Sequence, residues 1–236
     1  VVLAGTGISE THLEAHTTRV SYRQLDVVLR NALRLSKDPT TALRAGSRMH
    51  VTAYGMYGYA LLSSATYAEA REFSNRYLRI VGPLCDAAYG HDGSEVVCTL
   101  QPSNWPNPAD VVHRFAVEFA LSAQLSVLKD LVGDAFRLSR VALDYPEPAH
   151  GSFYRDILGC PALFGQRKSE FRYELSLAEG AVALADARTH GMARDICDQL
   201  LVDINRGGGV AADVRRILVE GPGRYPSIES VAEQLS

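Results

Sequence analysis

The chain has 236 residues, of which 47% are hydrophobic and 22% charged, a composition that is ordinary for a globular protein and argues against disorder. Its formal net charge of -3 argues against a strongly basic protein that coats nucleic acid, so any DNA contact must be local. The 4 cysteines lie far apart without a C-x-x-C pair, which disfavours a zinc site and favours buried free thiols.

The sequence also bears on the cellular location. No apolar run approaches the roughly 20 residues that span a bilayer, and residues 1–5 lack the charged region and cleavage site of a signal peptide. Because the chain does not start with Met, we expect that it begins inside a longer protein. We predict a cytoplasmic protein with no membrane partner.

Two helices are predicted in the first fifty residues. Ser21 and Gln24 have the spacing of a capping box, and apolar residues at helical spacing follow, which predicts a helix over residues 21–36. Asp38 and Pro39 pair a good N-cap with a proline at the first helical position. They predict a second helix that runs through Met49.

The next elements are a helix and a hairpin. Thr66 and Glu69 form another potential capping box, and Pro83 is expected to end the helix that they begin. The hydrophobic period then changes, and Asp92 with Gly93 is typical of a tight turn between two β-strands.

One long helix and two strands are predicted in the middle of the chain. The helix begins at Asn107 and Pro108 and ends at Gly133. Residues 136–143 are largely apolar, and residues 171–177 alternate as a half-buried strand does. Residues 144–170 are rich in Pro, Gly and aromatic residues and are predicted to form a structured loop.

The C-terminal part is predicted to be helical. An alanine-rich helix runs from about residue 180 to Ile204, and the glycines at 207–209 form a flexible joint. A short amphipathic helix around Ile217 follows. Ser227 then caps another helix that continues through Leu235.

A search for catalytic motifs finds none. Residues 1–7 imitate a dinucleotide-binding turn, but the third glycine is replaced by Glu10. His12 and His16 flank Glu14 at a spacing that matches neither order of a zinc protease. The serine-hydrolase elbow and the phosphate loop are also missing from the sequence. We therefore predict no catalytic residues, no metal and no cofactor.

The best candidates for ligand binding are His50, Tyr54, Tyr57 and Tyr59, in a segment where tyrosines alternate with glycines. Tyrosine combines apolar bulk with a polar tip, and glycine permits close approach of the backbone, which suits the wall of a small-molecule pocket. A core turn in which the rings only pack against one another remains the alternative.

A series of short motifs follows in order along almost the whole chain, at residues 3–7, 20–22, 30–33, 38–39, 54–64, 159–165, 214–218 and 222–232. In this order and spacing the chain resembles the AraC/XylS family of bacterial transcription regulators. Within that family it is similar to the group with an arabinose-binding-type N-terminal domain, which includes regulators of ornithine utilisation.

The resemblance implies a DNA-binding domain with two helix-turn-helix units, of which residues 227–235 correspond to the first helix. Arg224 and Ser227 are the candidate contacts to the DNA backbone. The resemblance further implies that the chain ends inside the first unit, before the recognition helix. We therefore expect it to associate with DNA only weakly and in a salt-sensitive manner.

We predict an α+β fold, in which residues 1–185 form an effector-sensing domain of helices packed on a mainly antiparallel sheet. Residues 186–209 form a linker helix and glycine-rich joint, and residues 210–236 an incomplete, all-α helix-turn-helix domain. The expected partners are a small-molecule effector, DNA and a second copy of the chain in a homodimer. The alternative function is a protein–protein interaction or dimerisation module without a small-molecule ligand, in which the tyrosines form an interface patch.

Overall fold

A computed structural model describes residues 1–14, 18, 20–207, 228 and 232. Within these residues, a five-stranded sheet has the order β1-β2-β5-β3-β4, and its neighbouring strands are antiparallel except for β3 and β4. The strands are β1 Asp86–Asp92, β2 Glu95–Gln101, β3 Arg140–Ala142, β4 Ala162–Leu163 and β5 Ser169–Glu174. The helices are α1 Glu10–Glu14, α2 Tyr22–Leu35, α3 Thr41–Gly46, α4 Gly55–Ser63, α5 Tyr67–Tyr77, α6 Val111–Val132, α7 Ser152–Leu158 and α8 Ala187–Gly207.

This architecture confirms the predicted fold of helices packed on a mainly antiparallel sheet. The all-α segment predicted over residues 210–236, with its candidate DNA contacts Arg224 and Ser227, lies outside the described residues, apart from Ile228 and Ala232.

The first capping box is confirmed. The Ser21 hydroxyl accepts from the Gln24 backbone N–H at 3.2 Å, and the Gln24 side chain accepts from the Ser21 N–H at 3.0 Å. Thr66 caps α5 in the same way, but Glu69 reaches the N–H of Ala65 and not that of Thr66. The predicted stop at Pro83 is wrong, because α5 ends at Tyr77 and a 3-10 turn follows.

The predicted N-cap at Asp38 is also wrong. Its carboxylate accepts from the N–H and the hydroxyl of Thr40 at 2.8 and 2.6 Å, which closes a turn ahead of the helix. Consequently α3 starts at Thr41, and it ends at Gly46, three residues before Met49. A Cβ atom at Gly46 would collide with the Phe119 carbonyl oxygen, so this glycine lets α3 lie directly against α6.

The predicted hairpin is present, with its turn displaced by one residue. Asp92 pairs with Glu95, so the connecting residues are Gly93 and Ser94, and Gly93 has a φ of +61°. The other edge of β2 pairs with β5, where Cys98 lies opposite Phe171. A strand from late in the chain thus completes the centre of the sheet.

Helix α6 is the core of the molecule. Asp110 caps it, three residues after the predicted start at Asn107, and Gly133 ends it as predicted, with a φ of +98°. Contrary to the expectation from the sequence, this helix is long and apolar enough to cross a membrane. However, 67% of its most apolar window is buried inside the protein, as in the core helix of a globular domain.

The predictions between residues 136 and 177 need correction. Only Arg140–Ala142 of residues 136–143 form a strand, and β5 starts at Ser169 and gives way to a 3-10 turn after Glu174. The predicted loop contains α7 and β4. The two buried residues of α7, Tyr154 and Leu158, have helical spacing. In the sequence this spacing is hard to recognise, because aromatic residues and glycines surround them.

Helix α8 begins at Ala187, later than predicted, because residues 179–186 connect the sheet back to α4. In this connection the Asp186 N–H donates to the Ser63 carbonyl at 3.0 Å. The helix packs against α4 and α5 and buries Ala193 and Cys197.

Candidate functional site

The structure contains a cavity of about 380 Å³ among α2, α4, α5, α6 and the β1–β2 hairpin. This volume falls within the range of about 300–1,000 Å³ that is usual for small-molecule sites. Its wall is mostly apolar, with a few polar groups that come from different elements. Such a combination is typical of a preformed small-molecule binding site.

Helical periodicity explains how each helix contributes to the wall. Helix α6 presents apolar side chains spaced four residues apart, namely Phe115, Phe119, Ala123, Val127 and Leu131. These positions form one continuous stripe along the helix. Most of the long apolar side of the cavity therefore comes from a single rigid element.

Helix α5 contributes the polar side of the cavity. Tyr67, Arg71 and Ser74 lie on one of its faces, since they are separated by four and three residues. The capping contact at Thr66 sets where this helix starts and hence which residues face inward. Next to α5, α4 and the turn before it supply Tyr57 and Tyr54.

Several hydroxyl groups of the wall are paired with each other. The Tyr57 and Ser74 hydroxyls lie 2.7 Å apart, and the Tyr67 hydroxyl lies 2.5 Å from that of Tyr173. The Tyr89 hydroxyl donates to the Gln124 carbonyl oxygen at 3.4 Å, which leaves the amide N–H₂ group of Gln124 available.

Burial keeps these tyrosines neutral. It raises the pKa of Tyr54, and it raises the pKa of Tyr57 and of Tyr67 to about 12 although a hydrogen bond to each opposes the shift. At pH 7 each phenol therefore retains its proton. The tyrosine side of the cavity carries hydrogen-bonding groups without negative charge.

Arg71 supplies the charge of the cavity. It is half-buried, and it is the one charged side chain among the described residues of the wall. Its guanidinium lies close enough to Tyr67 and Tyr173 to lower the pKa of both against the larger, opposing effect of burial. Within the described part of the chain, the Arg71 side chain makes no hydrogen bond or ion pair.

The structure separates the four predicted ligand-binding residues into two pairs. Tyr54 and Tyr57 line the cavity, with their rings in edge-to-face contact and their centroids 6.2 Å apart. His50 lies outside the wall, where its ring nitrogen is 3.1 Å from Asp130 and its side chain is 65% exposed. Tyr59 is 48% exposed at the surface, because it sits two residues after Tyr57 on a helix.

Sequence reasoning missed Arg71, Ser74 and Gln124. The available signal was positional, since Arg71 follows Tyr67 by four residues on the face of α5 that also buries Ala70. A charged residue on the apolar face of an amphipathic helix is unusual. Gln124 offers a similar signal, because it is a polar residue among the apolar residues of α6 that line the cavity.

The other buried polar clusters are paired within the protein. Glu118 accepts from the Tyr154 hydroxyl at 2.5 Å and lies 3.4 Å from His150. His113 contacts Asp144 at 3.1 Å, and the Ser169 hydroxyl donates to the same carboxylate at 2.7 Å. The serine contacts the carboxylate and not the histidine, so this cluster lacks the order of a catalytic triad.

The cysteines behave as predicted, since all four are buried free thiols. Burial raises the pKa of Cys98 to about 12 and of Cys160 to about 11, which makes them poor nucleophiles. Among the described residues, no three His, Cys, Asp or Glu side chains are grouped as metal ligands would be.

Residues 1–181 match the family described as the arabinose-binding domain of AraC transcription regulators, at their N-terminus. The chain belongs to this family. The matched residues contain α1 to α7 and the sheet, including every residue of the cavity wall, whereas α8 follows them. The family consists of transcription regulators, which agrees with the prediction of a regulator and with the lack of a catalytic motif in the sequence.

Two relatives extend beyond this domain. The ornithine utilization regulator of Pseudomonas aeruginosa is 30% identical over 223 residues, which cover 94% of this chain and 65% of that protein. An uncharacterized HTH-type transcriptional regulator of Mycobacterium tuberculosis is 26% identical over 250 residues and covers 99% of this chain and 69% of the relative. The chain thus spans about two thirds of the length of these regulators.

The fold of the domain also resembles a solved structure. The crystal structure of the transcriptional regulator CdpR from Pseudomonas aeruginosa superimposes with a TM-score of 0.62 and 20% identity, over 95% of this chain and 72% of that one. At this identity the likeness concerns the fold. It supports the α+β assignment for the arabinose-binding-type domain.

Proposed function

We propose that this chain is the effector-sensing part of a DNA-binding transcription regulator and that a small metabolite binds in the cavity of about 380 Å³. The observation that carries the proposal is the mostly apolar wall with unpaired donors, which lies within the domain that matches the regulator family. Tyr54 and Tyr57 contact the effector. His50 and Tyr59 have no place in this site.

Helix α5 provides a physical connection between the cavity and α8. One face of α5 lines the cavity through Arg71 and Ser74, and the neighbouring face meets α8, where the Tyr77 hydroxyl donates to Asp198 at 2.6 Å. An effector that binds one position of α5 more tightly shifts the population of α8 positions. In the complete regulator, α8 leads toward the helix-turn-helix region, in which Arg224 and Ser227 are the proposed contacts to DNA.

A ligand screen tests the proposal. A panel of amino acids, short carboxylates and sugars is added to the whole chain, and at least one compound should raise the melting temperature. The variant Ala120→Phe, which fills part of the cavity, should lose that response. The control Ala68→Phe adds the same ring at an exposed position of α5 and should retain it. No response to any compound, in wild type and variants alike, would contradict ligand sensing.

A homodimer, which is compatible with the sensing function, is favoured by a stripe on α8. Met192, Ile196 and Leu200 are 63%, 43% and 38% exposed and lie four residues apart on one face. We propose that a second copy of the chain packs on this stripe, which would give the homodimer that paired DNA half-sites require. Sedimentation should show a dimer for the wild-type chain and a monomer for Ile196→Lys.

A further inference from the structure

The half-buried Arg71 faces an apolar cavity without an acidic partner among the described residues. A guanidinium is always charged at physiological pH and offers five N–H donors. The Arg71 nitrogens are not fully buried, so they stay accessible to water until a ligand with an acceptor replaces it. The protein itself supplies no such acceptor within the described part of the chain.

Other arginines in the same protein show the contrast. Arg172, also partly buried, lies within 2.6–3.6 Å of the carboxylates of Asp92, Glu95 and Glu170. Arg30 binds Asp26 and Asp110. Arg114, the remaining partly buried arginine of the described residues, lies 3.7 Å from Glu118. Arg71 differs because its surroundings are tyrosines and aliphatic groups.

The remaining free groups of the cavity are also donors. The Tyr54 hydroxyl has no partner among the described residues, and the amide nitrogen of Gln124 is unpaired within the same part of the chain. A carboxylate is a pure acceptor, so it matches this set. An ammonium group would require acidic acceptors, and the described wall contains no Asp or Glu.

We propose that the effector is an apolar monocarboxylate, whose carboxylate forms a two-point ion pair with Arg71 while its hydrocarbon or aromatic body lies along the stripe of α6. This inference rests on the proposed function, which it makes specific. The geometry of guanidinium and carboxylate permits two parallel N–H···O hydrogen bonds. The body is then held by Phe115, Phe119 and their apolar neighbours on α6.

Calorimetric titration of the whole chain with matched probes tests this assignment. Octanoate and 4-phenylbutyrate are compared with octanamide and 4-phenylbutyramide, which have the same apolar bodies, and with octylamine, which carries the opposite charge. The wild-type chain should bind each carboxylate at least about tenfold more tightly than its amide, because a hydrogen bond to a charged group is stronger than a neutral one. Octylamine should bind most weakly.

The variant Arg71→Gln should lower the affinity for carboxylates to that for amides. Arg79→Gln is the matched control, because it removes the same charge from an exposed position that does not line the cavity. It should keep the preference. Arg71→Lys retains the charge without the planar donor pair and should show an intermediate preference.

Two other outcomes separate the failure of this inference from that of the proposed function. Equal binding of carboxylates and amides that Arg71→Gln leaves unchanged would overturn the role of Arg71 and still support a small-molecule site. Failure of every probe to bind the wild-type chain would overturn the apolar monocarboxylate, whereas the sensing function would be overturned only if the wider panel of amino acids, short carboxylates and sugars also gave no response.

Discussion

Two parts of the interior differ in how their polar groups are satisfied. Around α7, Glu118 accepts from Tyr154, and His113 lies between the Trp105 carbonyl and Asp144. Around the cavity, Arg71 faces tyrosines and apolar groups and has no acceptor among the described residues. The first arrangement is complete and stabilises the fold. In the second arrangement the donors lack acceptors, as expected of groups that bind a ligand.

The largest effect on stability is expected from Tyr154→Phe. This change removes the closest donor to the buried Glu118 carboxyl group and should lower the free energy of unfolding by about 2–3 kcal/mol, because a buried acceptor then loses its closest partner. Urea unfolding measures it. If the loss were below about 0.5 kcal/mol, the α7 cluster would not be the stabilising region that the comparison assumes.

The pH dependence of stability should report on His113. Both ring nitrogens of His113 face acceptors, which favours the doubly protonated ring. Burial alone would lower the pKa of His113, but the hydrogen bonds to Asp144 and to the Trp105 carbonyl together outweigh it and raise the pKa. A raised pKa in the folded state stabilises the protein below the unfolded-state pKa of about 6.5, and this stabilisation disappears as the pH rises through the folded-state pKa.

The free energy of unfolding should therefore fall with rising pH across this window, by at most about 1.4 kcal/mol per pH unit for one group. In His113→Gln this contribution should be absent. The difference between the two unfolding curves isolates His113 from other titrating groups, and parallel curves would contradict the charged form.

A smaller loss is expected from Tyr57→Phe, the same chemical change made in the cavity wall. The phenol pairs with Ser74, a neutral hydroxyl that can turn toward other partners, so the cost should be about 1 kcal/mol. If Tyr57→Phe lowers the free energy of unfolding less than Tyr154→Phe does under identical conditions, the contrast between the two regions is supported. A cost equal to that of Tyr154→Phe would remove it.

The smallest effect on stability is expected from Arg71→Gln. Because Arg71 has no ion pair in the described part of the chain, its replacement should change the free energy of unfolding by less than about 0.5 kcal/mol. The same variant is expected to lose the preference for carboxylates. A large destabilisation in thermal or urea unfolding would show that Arg71 has a structural role.

Local signals in the sequence were sufficient for several helix and strand boundaries. The contact between Ser21 and Gln24 involves residues three apart, and Gly133 and Gly93 adopt positive φ values that few other residues tolerate. Asp38 misled the prediction because its side chain could serve either as an N-cap or in a turn with Thr40.

The candidate site was predictable only in part. The tyrosine-rich segment indicated a pocket wall, and two of its residues, Tyr54 and Tyr57, line the cavity. The orientation of α4 decides that Tyr59 points elsewhere, and the turn before α4 leaves His50 at the surface beside Asp130. These outcomes depend on packing between elements that are far apart in sequence.

The sequence by itself determined the family, the α+β class and the ends of those helices whose caps are local, because these properties depend on motif order and on contacts within one turn. Only the tertiary structure decided that β5 pairs with β2, that α8 packs on α4 and α5, and that Arg71 faces a cavity without a carboxylate. The physical reason is that pairing and burial depend on the partners assembled from distant segments.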